Sequence, residues 1–301
     1  MRVLVVGGAG FLGRRVVERV RAAGHDATAF DMGPGSPPAI RGDVRRMSDL
    51  WDAIRAAQPE VIVQLAYLLG PESASEPYRA LGVNVDGMNN VFEAARLSGV
   101  RRVVFASSVV AHGPQIRFGD TAVDERSPME PHTPYGAMKW FNEQVADLFA
   151  AAFGLETVAL RFSNLFGFGR VTGTSGPWAD AIATNPALGR PVELPVSPAL
   201  RTSMLYVDDA AEYVTRLALQ ETAPQRHYLT GGYAVSVGEL ADAVRGVVEG
   251  ARISFRDGVG EPRPDVPVYL VDNARIVADT GYAIRPLADA LRAHVAAARE
   301  R

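Results

Sequence analysis

The segment Val3-Leu-Val-Val-Gly-Gly-Ala-Gly-Phe-Leu-Gly13 constrains the fold more than any other part of this chain. Val3 to Val6 are four consecutive β-favouring apolar residues, the composition of a parallel strand buried on both faces. Gly7, Gly10 and Gly13 follow at three-residue intervals. From Phe11 to Val20 the pattern becomes helical, with Val16, Val17 and Val20 on one side. Each glycine has its own physical role. One permits a tight turn, one lets backbone approach a pyrophosphate, and one packs helix against strand. The helix start at Phe11 and Leu12 offers unpaired N–H groups and a positive dipole end to phosphate. A strand, this turn and a helix in that order predict a dinucleotide-binding α/β domain.

The second strand, Ala27 to Phe30, ends in Asp31, about twenty residues after the glycines. An acid there accepts hydrogen bonds from both adenosine ribose hydroxyls and repels a 2′-phosphate. No Arg or Lys follows until Arg41, so NAD is favoured over NADP. Strand-like runs recur at Val61–Leu65, Arg102–Ala106 and Thr157–Phe162, separated by helical stretches at about 48–57 (Ser48 as N-cap), 77–97 and 134–153 (Thr133 as N-cap, Pro134 first). This alternation predicts a doubly wound, Rossmann-type parallel sheet with right-handed crossovers. Further helices are expected at 178–184, from Asp208-Asp209 to Leu219, at 237–248 and at 286–298. Asp208 and Asp209 read as caps, the acids from Asp120 to Glu130 as a solvated loop. We assign residues 1–166, with 200–230 returning, to the NAD-binding domain, and 167–199 and 231–301 to a smaller substrate lobe.

Composition narrows the class. The 301 residues are 48% apolar, carry a formal charge of −3 and include no cysteine. A packed core is expected, a nucleic-acid surface is not, and thiolate chemistry is excluded. The five histidines lack ligand spacing, so no metal site is expected. With no leader-like start and no long apolar run, the protein is expected to be soluble and cytoplasmic, without a membrane partner.

Tyr135 and Lys139 stand four apart on the 134–153 helix and share a face. A phenol has a reference pKa of about 10, and a neighbouring ammonium favours the phenolate. Such a pair exchanges a proton with an alcohol or carbonyl beside a nicotinamide. Ser107-Ser108 closes the fourth strand at the sheet's carboxyl edge, where Ser108 adds a second hydrogen bond to the same oxygen.

With these three parts in order, the sequence resembles the extended short-chain dehydrogenase/reductases over nearly its whole length. The glycine segment matches, with Val6 where Thr is usual. Gly42-Asp43-Val44 is similar to the segment whose aspartate contacts adenine. Gln64-Leu65-Ala66-Tyr67 resembles a cofactor-lining H-x-A-A, with Gln for His. Asn84 falls on the helix whose asparagine supports the site. Phe105-Ala-Ser-Ser108 with Ala111-His-Gly113 resembles Ser-Ser…Val-Tyr-Gly, with His112 for Tyr.

The resemblance makes Ser108, Tyr135 and Lys139 the catalytic set. It implies cofactor contacts from the glycine loop, Asp31, Asp43, Val44, Leu65, Ala66, Tyr67, Asn84, Ser107, Tyr135 and Lys139. In Leu160-Arg-Phe-Ser-Asn-Leu-Phe-Gly167 it places Ser163 by the nicotinamide and Asn164 by substrate phosphates. Arg201-Thr-Ser-Met-Leu-Tyr-Val-Asp-Asp209 is similar to R-D-F-x-x-V-D-D, and Arg263 stands in a segment whose arginine clamps a nucleotide diphosphate. Arginine suits that role through its bidentate fork.

The implied chemistry is oxidation at a carbinol, with Tyr135 as base, Lys139 lowering its pKa and holding the ribose, and Ser108 orienting the oxygen. The leading expectation is an NAD-dependent epimerase of a nucleotide sugar. The alternative is a dehydrogenase or ketoreductase on a smaller substrate, which the apolar Leu68-Leu69 and the Thr202-Ser203 departure favour. Dehydration is disfavoured because Val109-Val110 follow Ser108 where an Asp-Glu pair would be needed. A dinucleotide sensor without turnover is the remaining class, and the intact triad argues against it. Helices 77–97 and 134–153 resemble the pair that builds homodimers in this family; Trp140, Phe141 and Phe149 read either as its apolar contacts or as core.

Overall fold

The computed structural model describes residues 1–170, 172–173, 176–258, 260, 262 and 264–300. Strand and helix alternate through β1 (Arg2–Val6), α1 (Gly13–Ala22), β2 (Asp26–Asp31), β3 (Ala39–Arg41), α2 (Met47–Ala57), β4 (Val61–Gln64), α3 (Gly70–Ser75), α4 (Pro77–Leu81), α5 (Gly87–Leu97), β5 (Arg102–Ser108), α6 (Pro134–Phe153) and β6 (Glu156–Phe162). The chain continues through β7 (Asn164–Phe166), α7 (Gly176–Ala187), β8 (Val192–Leu194), β9 (Arg201–Tyr206), α8 (Val207–Leu219), β10 (His227–Leu229) and β11 (Tyr233–Ser236). Last come α9 (Val237–Val247), β12 (Ile253–Phe255), α10 (Ala274–Thr280) and α11 (Leu287–Arg299).

The main sheet has seven strands in the order β10-β6-β5-β4-β1-β2-β3, and every pairing is parallel. From β1 the chain winds outward to β2 and β3, then returns to β4 on the other side of β1. The β1/β4 boundary is therefore the topological switch point, and the crevice at its carboxyl edge is where such sheets hold ligands. Smaller sheets join β11, β9 and β7, and β12 with β8.

Local sequence explains the helices. In α1 the buried side is Val16, Val17 and Val20, Arg19 and Arg21 oppose the dipole at its last turn, and Gly24 at φ +79° ends the run. Helix α6 begins as expected: the Thr133 hydroxyl accepts from the Gly136 N–H at 3.1 Å, Pro134 sits in the first turn, and Gly154 closes it at φ +69°. One sheet face packs on α1 and α8 through residues such as Val16, Val214 and Leu217, and Trp178, Leu240 and Leu291 of α7, α9 and α11 extend the same core. The other face packs on α2, α5 and α6 through Leu50, Ile54, Met88, Phe92 and Ala146.

Several sequence-based expectations need correction. The helix expected at 77–97 is interrupted by a π-turn over Gly82–Asp86, which carries Asn84. Ser48 is not a cap: α2 begins at Met47, and the Ser48 hydroxyl donates to Asp49 at 3.2 Å. Nor do Asp208 and Asp209 cap α8, because arginines claim them. Asp208 pairs with Arg15 at 2.9 Å, and buried Asp209 takes Arg285 at 2.8 Å and the Tyr282 hydroxyl at 2.6 Å. In the 120–130 loop Glu125 is not solvated, since it accepts from the Leu229 N–H at 3.0 Å and pairs with Arg275 at 3.3 Å. Short β3, β7 and β10 are too brief to carry a periodic pattern.

Candidate active site

At the carboxyl end of β1 the chain turns sharply at Gly7, whose φ is +81°; a Cβ there would lie 2.6 Å from the Ala66 nitrogen after β4. A Cβ on Gly13 would collide with the Gly7 carbonyl, so only glycine lets α1 seat against the turn. Gly10 donates to the Gly7 carbonyl at 3.0 Å, and the N–H groups of Phe11 and Leu12 find no backbone acceptor among the described residues. The Arg15 guanidinium covers the Phe11 ring at 4.7 Å. Asp31 is anchored across the turn, accepting from the Ala9 N–H at 3.0 Å and the Gly33 N–H at 3.1 Å. Free N–H groups at a helix start, closely approachable backbone and a fixed acid one strand away fit a dinucleotide.

Asp43, expected at adenine, is held by Arg45 with bonds of 2.9 and 3.1 Å, and this contact keeps its carboxyl below the usual range. Val44 is buried, and its carbonyl accepts from Asn90 at 3.0 Å. Beyond β4, Leu65 donates to the Val6 carbonyl at 2.8 Å, and the Gln64 amide brackets Ala66 at 3.2 and 3.3 Å. Asn84 was expected at the cofactor. Its buried amide is instead engaged by the Leu68 backbone, accepting at 2.8 Å and donating at 2.9 Å, so it positions the segment after β4.

Ser108 ends β5, and its hydroxyl accepts from the Val110 N–H at 3.3 Å. Burial pushes the Tyr135 phenol up to about 12, while the Arg170 guanidinium and Ser108 pull it down. Lys139 was expected to supply that pull. Its ammonium instead donates to the Ala106 carbonyl at 2.5 Å and lies 3.1 Å from the Tyr67 ring centroid, against 5.4 Å from that of Tyr135. Burial holds it well below its ordinary range, opposed by Glu143. Tyr67 meets Tyr135 edge-on at 5.9 Å, and its hydroxyl bonds Asn142.

Glu143 is a residue that sequence reasoning missed. Ser107 donates to it, and Arg161 and His227 pair with it at 2.7 and 3.1 Å. Its spacing was the available signal, because Tyr135, Lys139 and Glu143 recur every four residues on one helix face. Behind it, His112 is buried; its Nδ1 donates to the Pro128 carbonyl at 3.0 Å, leaving Nε2 to accept from Arg161 at 3.4 Å. Burial and the nearby Arg161 keep this histidine below its ordinary pKa.

On the substrate side, the Ser203 hydroxyl donates to Ser163 at 2.9 Å, and the Asn164 amide donates to Thr202 at 2.7 Å. The two departures at 202 and 203 are thus the direct partners of 163 and 164. Arg201 is exposed, its guanidinium 5.3 Å from the Tyr269 ring centroid. Arg263 lies outside the described residues. Arg170, also missed from sequence, is half-buried on the loop after β7, and no motif marked it.

Sheet order, glycine turn and the Ser108–Tyr135–Lys139 grouping define a Rossmann-type NAD-dependent enzyme. The family model for the NAD-dependent epimerase/dehydratase family matches residues 3–231. The chain belongs to that family, within the extended short-chain dehydrogenase/reductases, and its cofactor is NAD. It is 30% identical over 176 residues to a UDP-glucose 4-epimerase of Lacticaseibacillus casei, covering 56% of this chain and 52% of that one. It is 31% identical over 168 residues to a uronate dehydrogenase of Pseudomonas syringae pv. tomato, covering 55% and 60%. The chain thus spans little more than half the length of these relatives. The structure of a Thermus thermophilus UDP-glucose 4-epimerase with NAD superposes with a TM-score of 0.86 at 26% identity, covering 99% of each chain. Among the described residues no helix is long and apolar enough to cross a membrane.

Proposed function

We propose that the protein catalyses NAD-linked interconversion of a secondary alcohol and its ketone and releases the product, ketone on oxidation or alcohol on reduction, as a dehydrogenase or ketoreductase does. The carrying observation is that Asn164, the group expected at the phosphates of a nucleotide sugar, bonds to Thr202, one of the two departures, while Leu69 and Arg170 flank one point at Gly173. When bound, NAD supplies the hydride acceptor. Tyr135 takes the hydroxyl proton in oxidation and returns it in reduction, and Ser108 orients that oxygen. Lys139 of α6 would hold the nicotinamide ribose. Glu143, fixed by Arg161 and His227, offers it a fixed counter-charge.

A second reading, the nucleotide-sugar epimerase, is favoured by exposed Arg201 beside Tyr269, a cation next to an aromatic face, and by the epimerase relatives. One experiment separates the two: absorbance at 340 nm, with UDP- and dTDP-sugars and no added NAD, then with added NAD and secondary alcohols. NADH accumulating only with added NAD and an alcohol supports the dehydrogenase. Sugar product without net NADH supports the epimerase and overturns the first reading.

We also propose a homodimer. Trp140, Phe141, Leu148 and Phe153 of α6 and Leu97 of α5 are exposed, and Phe149 packs inward on Phe92. Light scattering giving the monomer mass across the micromolar range would remove that proposal.

A further inference from the structure

We propose that Arg170 is the counter-cation for a carboxylate on the substrate; this deepens, and rests on, the oxidoreductase reading above. A guanidinium shielded from water needs acceptors. Other arginines of this fold have them. Arg102 takes Glu156 and the backbone carbonyls of Leu217, Ala218, Gln220 and Glu221, Arg161 takes Glu143, and Arg285 takes Asp209. The Nη1 of Arg170 is shielded from solvent and has no hydrogen-bond partner among the described residues, and no carboxylate pairs with this arginine there.

Its surroundings show which side it serves. A Cβ on Gly173 would lie 3.0 Å from Arg170 Nη2 and 3.1 Å from Leu69 Cδ1, so the guanidinium and the apolar segment after β4 flank one point. The guanidinium is also close enough to Tyr135 for each group to sense the other's charge. A cation beside an apolar wall, near enough to sense the Tyr135 phenol, suits a compact substrate with an anionic end and a carbinol. The planar fork matches two coplanar carboxylate oxygens. The pyrophosphate of the cofactor has other donors, the Phe11 and Leu12 N–H groups at the start of α1.

The test is calorimetric titration of NAD-saturated wild type, Arg170→Gln and Arg170→Lys. The probes are glycerate, 3-hydroxybutyrate and glucuronate, each against its methyl ester, and UDP. At least one acid is expected to bind wild type about ten- to hundredfold more tightly than its ester, the range for a charge-assisted bond. Arg170→Gln should abolish that preference and leave NAD and UDP affinity unchanged, while Arg170→Lys keeps part of it. Three results overturn the proposal: no acid outperforms its ester, Arg170→Gln weakens NAD (the anion is the cofactor's phosphate), or it weakens UDP (the anion is a nucleotide's). The acid–ester comparison on wild type stands even where a variant misfolds. Any acid that binds is then assayed at 340 nm. Arg170-dependent binding without NADH formation leaves this subsite standing and counts against the oxidoreductase reading.

Discussion

Replacing Glu143 by Gln keeps the shape of a side chain on which three groups converge and removes its charge. Arg161 donates to it from Nε at 3.1 Å and from Nη2 at 2.7 Å, His227 Nδ1 stands at 3.1 Å, and the Ser107 hydroxyl completes the set. Burial alone favours the neutral acid, but His227 and Arg161 outweigh it and hold the carboxyl at about 2, against 4.5 ordinarily. At about 1.4 kcal/mol per pH unit, that gap corresponds to about 3 kcal/mol at neutral pH. Removing one partner of a buried ion pair, at about 3–5 kcal/mol, gives a similar figure by a separate route. Urea unfolding of wild type and Glu143→Gln at pH 7 should therefore differ by about 3 kcal/mol, with little change in slope. The sign with pH follows from a depressed carboxyl: its stabilisation is present above 4.5 and is lost as pH falls toward 2. The gap between the proteins should narrow below about pH 4.5. A difference under about 1 kcal/mol at pH 7, or a gap unchanged down to about pH 3, would refute the reasoning.

Three further outcomes are expected. Tyr135→Phe should lower kcat by about 10²- to 10⁴-fold with NAD affinity intact by fluorescence titration; retained turnover would remove Tyr135 as the proton-transfer group. Asp31→Ser should raise the NADP-to-NAD ratio of kcat/KM by at least about tenfold, because it removes the acid that repels a 2′-phosphate; an unchanged ratio would detach Asp31 from the ribose. Gly13→Ala forces a methyl against the Gly7 carbonyl and should cost about 1–3 kcal/mol and weaken NAD binding. Calorimetric melting with and without NAD checks both effects, and an unshifted Tm would contradict the close packing.

The fold was legible where side-chain pattern decides it. The β1–turn–α1 unit, the strands at 61–64, 102–108 and 156–162 and the capped start of α6 all follow from apolar runs, glycines and a Thr-Pro pair. The candidate set Ser108, Tyr135 and Lys139 could be named from sequence because spacing and order single it out. Legibility failed where a residue's role depends on a partner distant in sequence. Asp209 reads as a cap until Arg285 and Tyr282 arrive from near the C-terminus. Glu125 reads as solvated until β10 and Arg275 cover it. Glu143 lies on the face that the Tyr-Lys spacing already marked, yet its charge has meaning only once Arg161 of β6 and His227 of β10 converge on it. Arg170 could not be found from pattern at all, since what distinguishes it is the acceptor its Nη1 lacks among the described residues.

The same long-range placement sets which charged groups lie near the Tyr135 phenol. The Tyr-Lys spacing predicts an ammonium holding Tyr135 down, yet Lys139 is tied to the Ala106 carbonyl and the Tyr67 ring, and burial lowers its own pKa. Arg170 and Ser108 are the groups that pull on the phenol, and burial still leaves it at about 12. On the reading proposed above, Tyr135 would donate its proton when a ketone is reduced and need to be ionised when an alcohol is oxidised, so oxidation should accelerate as pH rises. A difference titration at 295 nm, cofactor-free wild type minus Tyr135→Phe, reads this one phenol among the nine tyrosines. It should show no ionisation of Tyr135 below about pH 10, because the raised group loses its proton only above the reference value. Adding Arg170→Gln to both proteins should move the onset higher still, because the variant removes a cation that favours phenolate. A midpoint below about 10, or an onset unmoved by Arg170→Gln, would return control of the phenol to Lys139.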